Sequence, residues 1–120
     1  MVRYRIWMLL TAALLGTAVL SACSSGPATP EELKVTASEF TFDPATINLK
    51  IGEPVLAKIT NTGTLQHTFT IPDLDVDVAT PVGQTVTVEF TPARSGTFEL
   101  VCTVPGHKEA GMVGTVSITP

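Results

Sequence analysis

"QTVTVEF", Gln84–Phe90, sets Val86, Val88 and Phe90 on one side of an extended chain and Thr85, Thr87 and Glu89 on the other. A period of two, written in β-branched and aromatic residues, is the pattern of a half-buried strand. The pattern recurs on both sides of it. "LKVTASEF" (Leu33–Phe40) alternates, "TINLKIGE" (Thr46–Glu53) alternates and ends at a Gly turn, and "PVLAKITNTG" (Pro54–Gly63) closes in Asn61-Thr62-Gly63. "HTFTIP" (His67–Pro72) stops at its proline, and "TFELVC" (Thr97–Cys102) and "GTVSI" (Gly114–Ile118) complete the set. No long segment in this region repeats with helical periodicity. Short strands punctuated by Gly, Pro and Asn predict an all-β, Greek-key β-sandwich over residues 33–120. A chain of that length forms one domain with a modest core.

The first segment is of another kind. "MVRYRIWMLLTAALLGTAVLSAC" carries two arginines and then an apolar run from Ile6 to Leu20, ending in small residues. These are the parts of an export signal. The run is shorter than the ~20 residues a spanning helix needs, although an uncleaved anchor is the competing reading. Leu20-Ser21-Ala22-Cys23 resembles the lipobox of bacterial lipoproteins, cut before a cysteine that carries diacylglycerol. The expectation is a signal peptide at 1–22, a lipidated Cys23 and a flexible tether to residue 32. "SSGPATPEE", Ser24–Glu32, is small, polar and proline-bearing. Fully extended, it reaches about 30 Å. The domain would stand just off a membrane, facing the periplasm or the cell exterior.

The leader holds two of the seven basic residues and none of the eleven acids, so its removal takes the net charge from −4 to −6. Such a chain is a poor partner for nucleic acid, which needs clustered Lys and Arg. It is an equally poor polybasic membrane binder, which leaves attachment to the lipid. Lipidation of Cys23 also consumes its thiol and leaves Cys102 alone in an oxidising compartment. A buried or metal-bound Cys102 suits that setting. A Cys23–Cys102 bridge is the alternative.

"LVCTVPGHKEAGMVGT", Leu100–Thr115, is where chemistry concentrates. Cys102 closes one strand, Met112 opens the next, and His107 lies midway, five residues from each. A loop joining neighbouring strands brings its ends together. Pro105 and Gly106 turn the chain before His107, and Gly111 gives room before Met112. Taken singly, each residue has an ordinary reading: a buried small hydrophobe, core filler, a surface imidazole. Together they are three soft or borderline donors at one pole. A trigonal His₂Cys set with a long axial thioether is an electron-transfer copper site. The further imidazole it needs is supplied by the chain's other histidine, His67, at the head of "HTFTIP" and presented by a strand from the other part of the sandwich.

"CTVPGHKEAGM" closely resembles the ligand loop of the cupredoxins, the small blue (type 1) copper proteins. Its Cys-x4-His-x4-Met spacing is similar to that of rusticyanin and sulfocyanin, whereas plastocyanin and azurin loops are shorter. "ASEFTFDPATINLKIGEPVLAKITNTGTLQHTF", with its Phe-x-Phe-x-Pro stretch, is similar to the N-terminal cupredoxin half. The resemblance implies one copper ion with His67, Cys102 and His107 as equatorial ligands and Met112 as the weak axial one. It departs at Thr68, where many members have an Asn that ties the ligand loops together. The Thr68 hydroxyl is placed to bond toward the Cys102–Thr103 backbone instead.

Four protein ligands leave no open position for substrate, and metal catalysis generally needs one. Both histidines are already assigned. A dinuclear site would need a second cysteine in the loop, and Cys102 stands there alone. The expected function is therefore a monomeric, non-enzymatic shuttle of single electrons between redox proteins such as a cytochrome or an oxidoreductase. His107 is the expected port, ringed by Val104, Pro105, Gly106, Ala110, Gly111 and Val113. Lys108 and Glu109 beside it give little net steering. "PDLDVDV", Pro72–Val78, is expected to be a solvated strand face rather than a calcium loop. A membrane-tethered copper storage or delivery protein is the alternative function, and an adhesion sandwich without metal is a third.

Overall fold

The structure, a computed structural model, describes Cys23 and residues 26–120. The predicted signal peptide and Ser24–Ser25 of the tether lie outside the described residues. Among the described residues nine strands follow in order: β1 Glu31–Ser38, β2 Thr41–Asp43, β3 Thr46–Lys50, β4 Val55–Asn61, β5 His67–Ile71, β6 Val76–Thr80, β7 Thr85–Phe90, β8 Gly96–Val101 and β9 Val113–Thr119. A 3-10 turn, Pro72–Leu74, separates β5 from β6.

The strands form two sheets, ordered β2-β1-β4-β7 and β3-β9-β8-β5-β6. The chain crosses between the sheets repeatedly, which gives the expected Greek-key sandwich. Two pairings are parallel, β1 with β4 and β3 with β9, and the rest are antiparallel. Alternation decides which side chains meet between the layers. In β4, Val55, Ala57, Ile59 and Asn61 are buried while Leu56, Lys58 and Thr60 are half-buried. Val35, Ala37 and Phe42 complete that layer, facing Ile47, Leu49, Phe69, Ile71, Leu100, Val116 and Ile118. Phe42 meets Phe69 edge-on across the core, with centroids 6.1 Å apart. Each fully buried side chain of this size contributes roughly 1.5–3 kcal/mol through area removed from water.

Four sequence expectations change. The expected tether to residue 32 stops at Pro30, because Glu31 and Glu32 already pair with Val55 and Leu56 in β1. "LKVTASEF" ends as a strand at Ser38, because Glu39 and Phe40 form a turn with Phe40 at φ 60°. "PDLDVDV" is not one solvated strand face. Asp73 sits in the 3-10 turn, Asp75 caps it at φ 55°, and Asp77, on β6, accepts a hydrogen bond from the Thr70 hydroxyl at 2.7 Å. The left-handed cap at Asp75 breaks the alternation that the sequence suggests. His67, finally, does not come from another part of the sandwich. Its strand β5 is the immediate neighbour of β8 in the same sheet.

Candidate metal centre

Three neighbouring strands, β9-β8-β5, each send a row of side chains into the core. The rows are Met112–Gly114–Val116–Ile118, Phe98–Leu100–Cys102 and His67–Phe69–Ile71. At one pole each row ends in a donor: Met112, Cys102 and His67. All three are 0% exposed. The donors continue the core pattern by one more inward position, so the packing that orders the core also orders the site.

His107 reaches the same place from the loop. A compact coil forms its frame: the His107 N–H donates to Val104 O at 3.0 Å, Ala110 N–H to Gly106 O at 3.1 Å and Gly111 N–H to Lys108 O at 2.9 Å. Gly106 and Gly111 take φ 86° and 103°, which side-chain-bearing residues avoid. Two bonds then close the loop. Met112 N–H donates to His107 O at 3.0 Å, and Cys102 N–H donates to Met112 O at 3.1 Å.

The donor atoms converge. Nδ1 of His67 lies 3.1 Å from Nδ1 of His107, and Cys102 Sγ lies 3.4 Å from the same His107 nitrogen. One ligand atom from each of the three lies within 4.8 Å of the others. Both imidazoles offer the same nitrogen. The tautomer that frees Nδ1 of His67 carries its proton on Nε2, which is buried and meets no protein acceptor. Burial lowers the pKa of His67 first, and the nearby His107 imidazole lowers it further, against an opposing pull from the Glu39 charge. A neutral imidazole is the form that ligates metal. Two imidazole nitrogens and a sulfur facing one buried point, with buried Met112 immediately before the adjacent strand β9, suit a soft or borderline ion and match a copper donor set.

Second-rank contacts lock this arrangement. The Thr68 hydroxyl accepts the Thr103 N–H at 2.8 Å and lies 3.0 Å from the Thr103 hydroxyl, as expected for the residue in the Asn position. The Thr68 N–H points at Cys102 Sγ at 3.4 Å. Other contacts escaped the sequence reading. Asn61, buried, donates through Nδ2 to Leu65 O and Thr80 O, both at 2.8 Å, and accepts the Gly63 N–H at 2.9 Å. The Asn61-Thr62-Gly63 signal marked a turn but not this bolt beneath His67.

Glu39 accepts hydrogen bonds from the Thr64 N–H, the Thr64 hydroxyl and the Leu65 N–H, on the segment leading into β5. These bonds, the Thr64 amide first, hold its carboxyl below the ordinary glutamate range. Phe40 lies against the His107 ring with centroids 5.2 Å apart and planes at 90°. His107 is consequently 7% exposed, so the expected solvent edge of its ring is nearly covered.

Two sheets closed over a polar cluster of two imidazoles, a thiol and a thioether define a small β-sandwich with a buried nitrogen–sulfur centre at one pole. The chain belongs to the Cupredoxin-like domain family, which matches residues 9–115. It is 34% identical to the copper-resistant cuproprotein CopI of Rubrivivax gelatinosus, over 64% of this chain and 59% of that protein. The chain thus spans about three-fifths of the length of that curated relative. Among solved structures, it resembles a reduced auracyanin from Roseiflexus castenholzii (TM-score 0.68, 20% identity, 78% of this chain and 100% of the other). It also resembles the periplasmic domain of cytochrome oxidase subunit II from Bradyrhizobium japonicum (TM-score 0.65, 15% identity, 78% and 86%). At these identities the structural likenesses establish the shared fold.

Proposed function

We propose that the protein is a mononuclear blue copper carrier of single electrons, with His67, Cys102, His107 and Met112 as the ligands of one copper ion. The convergence of one donor atom each from His67, Cys102 and His107 within 4.8 Å, buried at the end of the core, carries this reading. Copper supplies the Cu(I)/Cu(II) couple. The chain's part is to hold thiolate, thioether and imidazoles in a frame that suits neither oxidation state alone, and so to keep reorganisation small. The sheet fixes three of the donors, and the loop bonds from Met112 to His107 and from Cys102 to Met112 fix the fourth. A closed donor set without a position for substrate supports a carrier rather than an enzyme.

Electrons would pass at the His107 pole, where Val113 is 40% exposed and Phe40, Leu65 and Val82 add apolar surface beyond the loop itself. A small apolar patch suits brief docking to a redox protein. Lys108 bonds Glu99 at 2.9 Å, which neutralises the charge nearest the port. The remaining assignments form one picture: export, diacylglycerol on Cys23, a monomer held outside the membrane, and a cytochrome or oxidoreductase as partner. Exposure of Cys23 is compatible with its modification.

The likeness to a copper-resistant cuproprotein favours a second reading, in which the same site stores or hands over copper. Voltammetry combined with chelator challenge separates the two. A carrier gives a reversible one-electron wave and keeps its metal in both oxidation states. A delivery protein surrenders Cu(I) readily to a competing acceptor, and that result would replace the carrier reading.

A further inference from the structure

The turn between β1 and β2 touches both imidazole-bearing segments at once. Phe40 takes φ 60°, a left-handed conformation that bulky side chains rarely adopt. It leaves the ring 37% exposed, yet seated edge-to-face on His107. The preceding residue, Glu39, gathers two backbone N–H groups and a hydroxyl from Thr64 and Leu65, just before His67. Gly63 makes room for this: a methyl there would stand 2.5 Å from the Glu39 carboxylate. A backbone conformation that costs energy and a glycine that permits a close approach serve the same short turn. Neither is needed to close a hairpin, for which glycine or asparagine at position 40 would be the easier choice.

We propose that Glu39-Phe40 is a two-sided clamp that positions both imidazoles and retains copper through redox cycling. Glu39 holds the His67 segment and Phe40 holds the His107 ring. The proposal rests on the copper reading of the site. Neither residue is a ligand, so both act through the histidines they brace. A positioning contact to a metal-bound histidine typically governs metal affinity by about 10–100-fold.

Phe40→Gly separates this role from simple stability, because glycine relieves the left-handed backbone while removing the ring. In the copper-loaded full chain, Phe40→Gly is expected to pass Cu(I) to bathocuproine disulfonate about tenfold faster than the parent or more. The thiolate-to-copper visible band should shift, while the unfolding temperature of the metal-free form stays level or rises. Phe40→Tyr, which keeps the ring, should restore slow release. Glu39→Gln should speed release and raise amide exchange at Thr64 and Leu65. The metal-free chain gives a reading independent of copper: proton NMR of His107 should lose its ring-current shift in Phe40→Gly. If the parent holds copper, but Phe40→Gly and Glu39→Gln both release it within twofold of the parent and leave the band unmoved, the clamp is wrong. If the parent takes up no copper, the copper reading fails. Copper retention falls with it, the bracing of His107 by Phe40 is then judged by the NMR result alone, and unchanged His107 resonances in Phe40→Gly overturn that as well.

Discussion

Cys102, His67, His107 and Met112 are legible in the sequence because their side chains are scarce and chemically distinct. With two histidines in the chain, there was little to choose among. Their roles differ, and substitution separates them. In the proposed site, Met112→Leu removes an axial electron donor, and loss of donation disfavours the more highly charged Cu(II), so the protein should stay blue and its potential should rise by voltammetry. An unchanged potential would remove Met112 from the site. Thr68→Val deletes the acceptor of the Thr103 N–H and the hydroxyl pair with Thr103, while leaving the bond from the Thr68 N–H to Cys102 Sγ in place. The cost is about 1 kcal/mol. For a domain of this size, the unfolding temperature should fall by about 4–8 °C, and Thr68→Asn should recover most of the loss. Glu39 and Phe40 were not legible. Both continue the alternation of "LKVTASEF", and nothing local announces that a phenylalanine will turn left-handed to reach a histidine 67 positions away.

Among the elements, seven strands could be read from period-two runs, because each buries one face against the opposite sheet. β2 and β6 could not. β2 has three residues, too few to show a period, and β6 follows the capped 3-10 turn that interrupts the acidic run. Pairing was the other gap. Periodicity reports which face of a strand is buried but not which strand lies beside it, so the seating of His67 next to β8 emerged only from the fold. The β1–β2 turn carries a pH dependence of its own. Hydrogen bonds from Thr64 and Leu65 lower the Glu39 pKa in the folded chain relative to its ordinary 4.5. The unfolded chain therefore binds the proton more readily. This stabilisation is complete above about pH 4.5 and is lost as pH falls through the lower, folded-state pKa. Urea titrations of the metal-free protein should show the gap between parent and Glu39→Gln narrowing below pH 4.5. A gap that stays constant into acid would show that the carboxylate charge contributes nothing.

At the scale of the whole molecule, one end of the sandwich gathers the donor side chains, and the proposed export signal lies at the chain start. The core rows run toward the donor pole, where the exposed apolar side chains Phe40, Leu65, Val82 and Val113 also lie. Without the proposed leader the net charge would be −6, which repels anionic surfaces, so on this proposal membrane residence would depend on Cys23. Cys23→Ser should move the protein from the membrane to the soluble fraction on cell fractionation. Continued sedimentation with membranes would point to an uncleaved anchor.

The central claim, that His67, Cys102, His107 and Met112 form a closed blue copper centre, is tested most directly by the paired visible and EPR spectra of the Cu(II)-loaded protein. An intense thiolate-to-copper absorption near the red end, with a narrow copper hyperfine splitting, both lost in Cys102→Ala, is the predicted result. A colourless Cu(II) adduct with wide hyperfine splitting, or a protein that rejects copper and retains zinc, would contradict it.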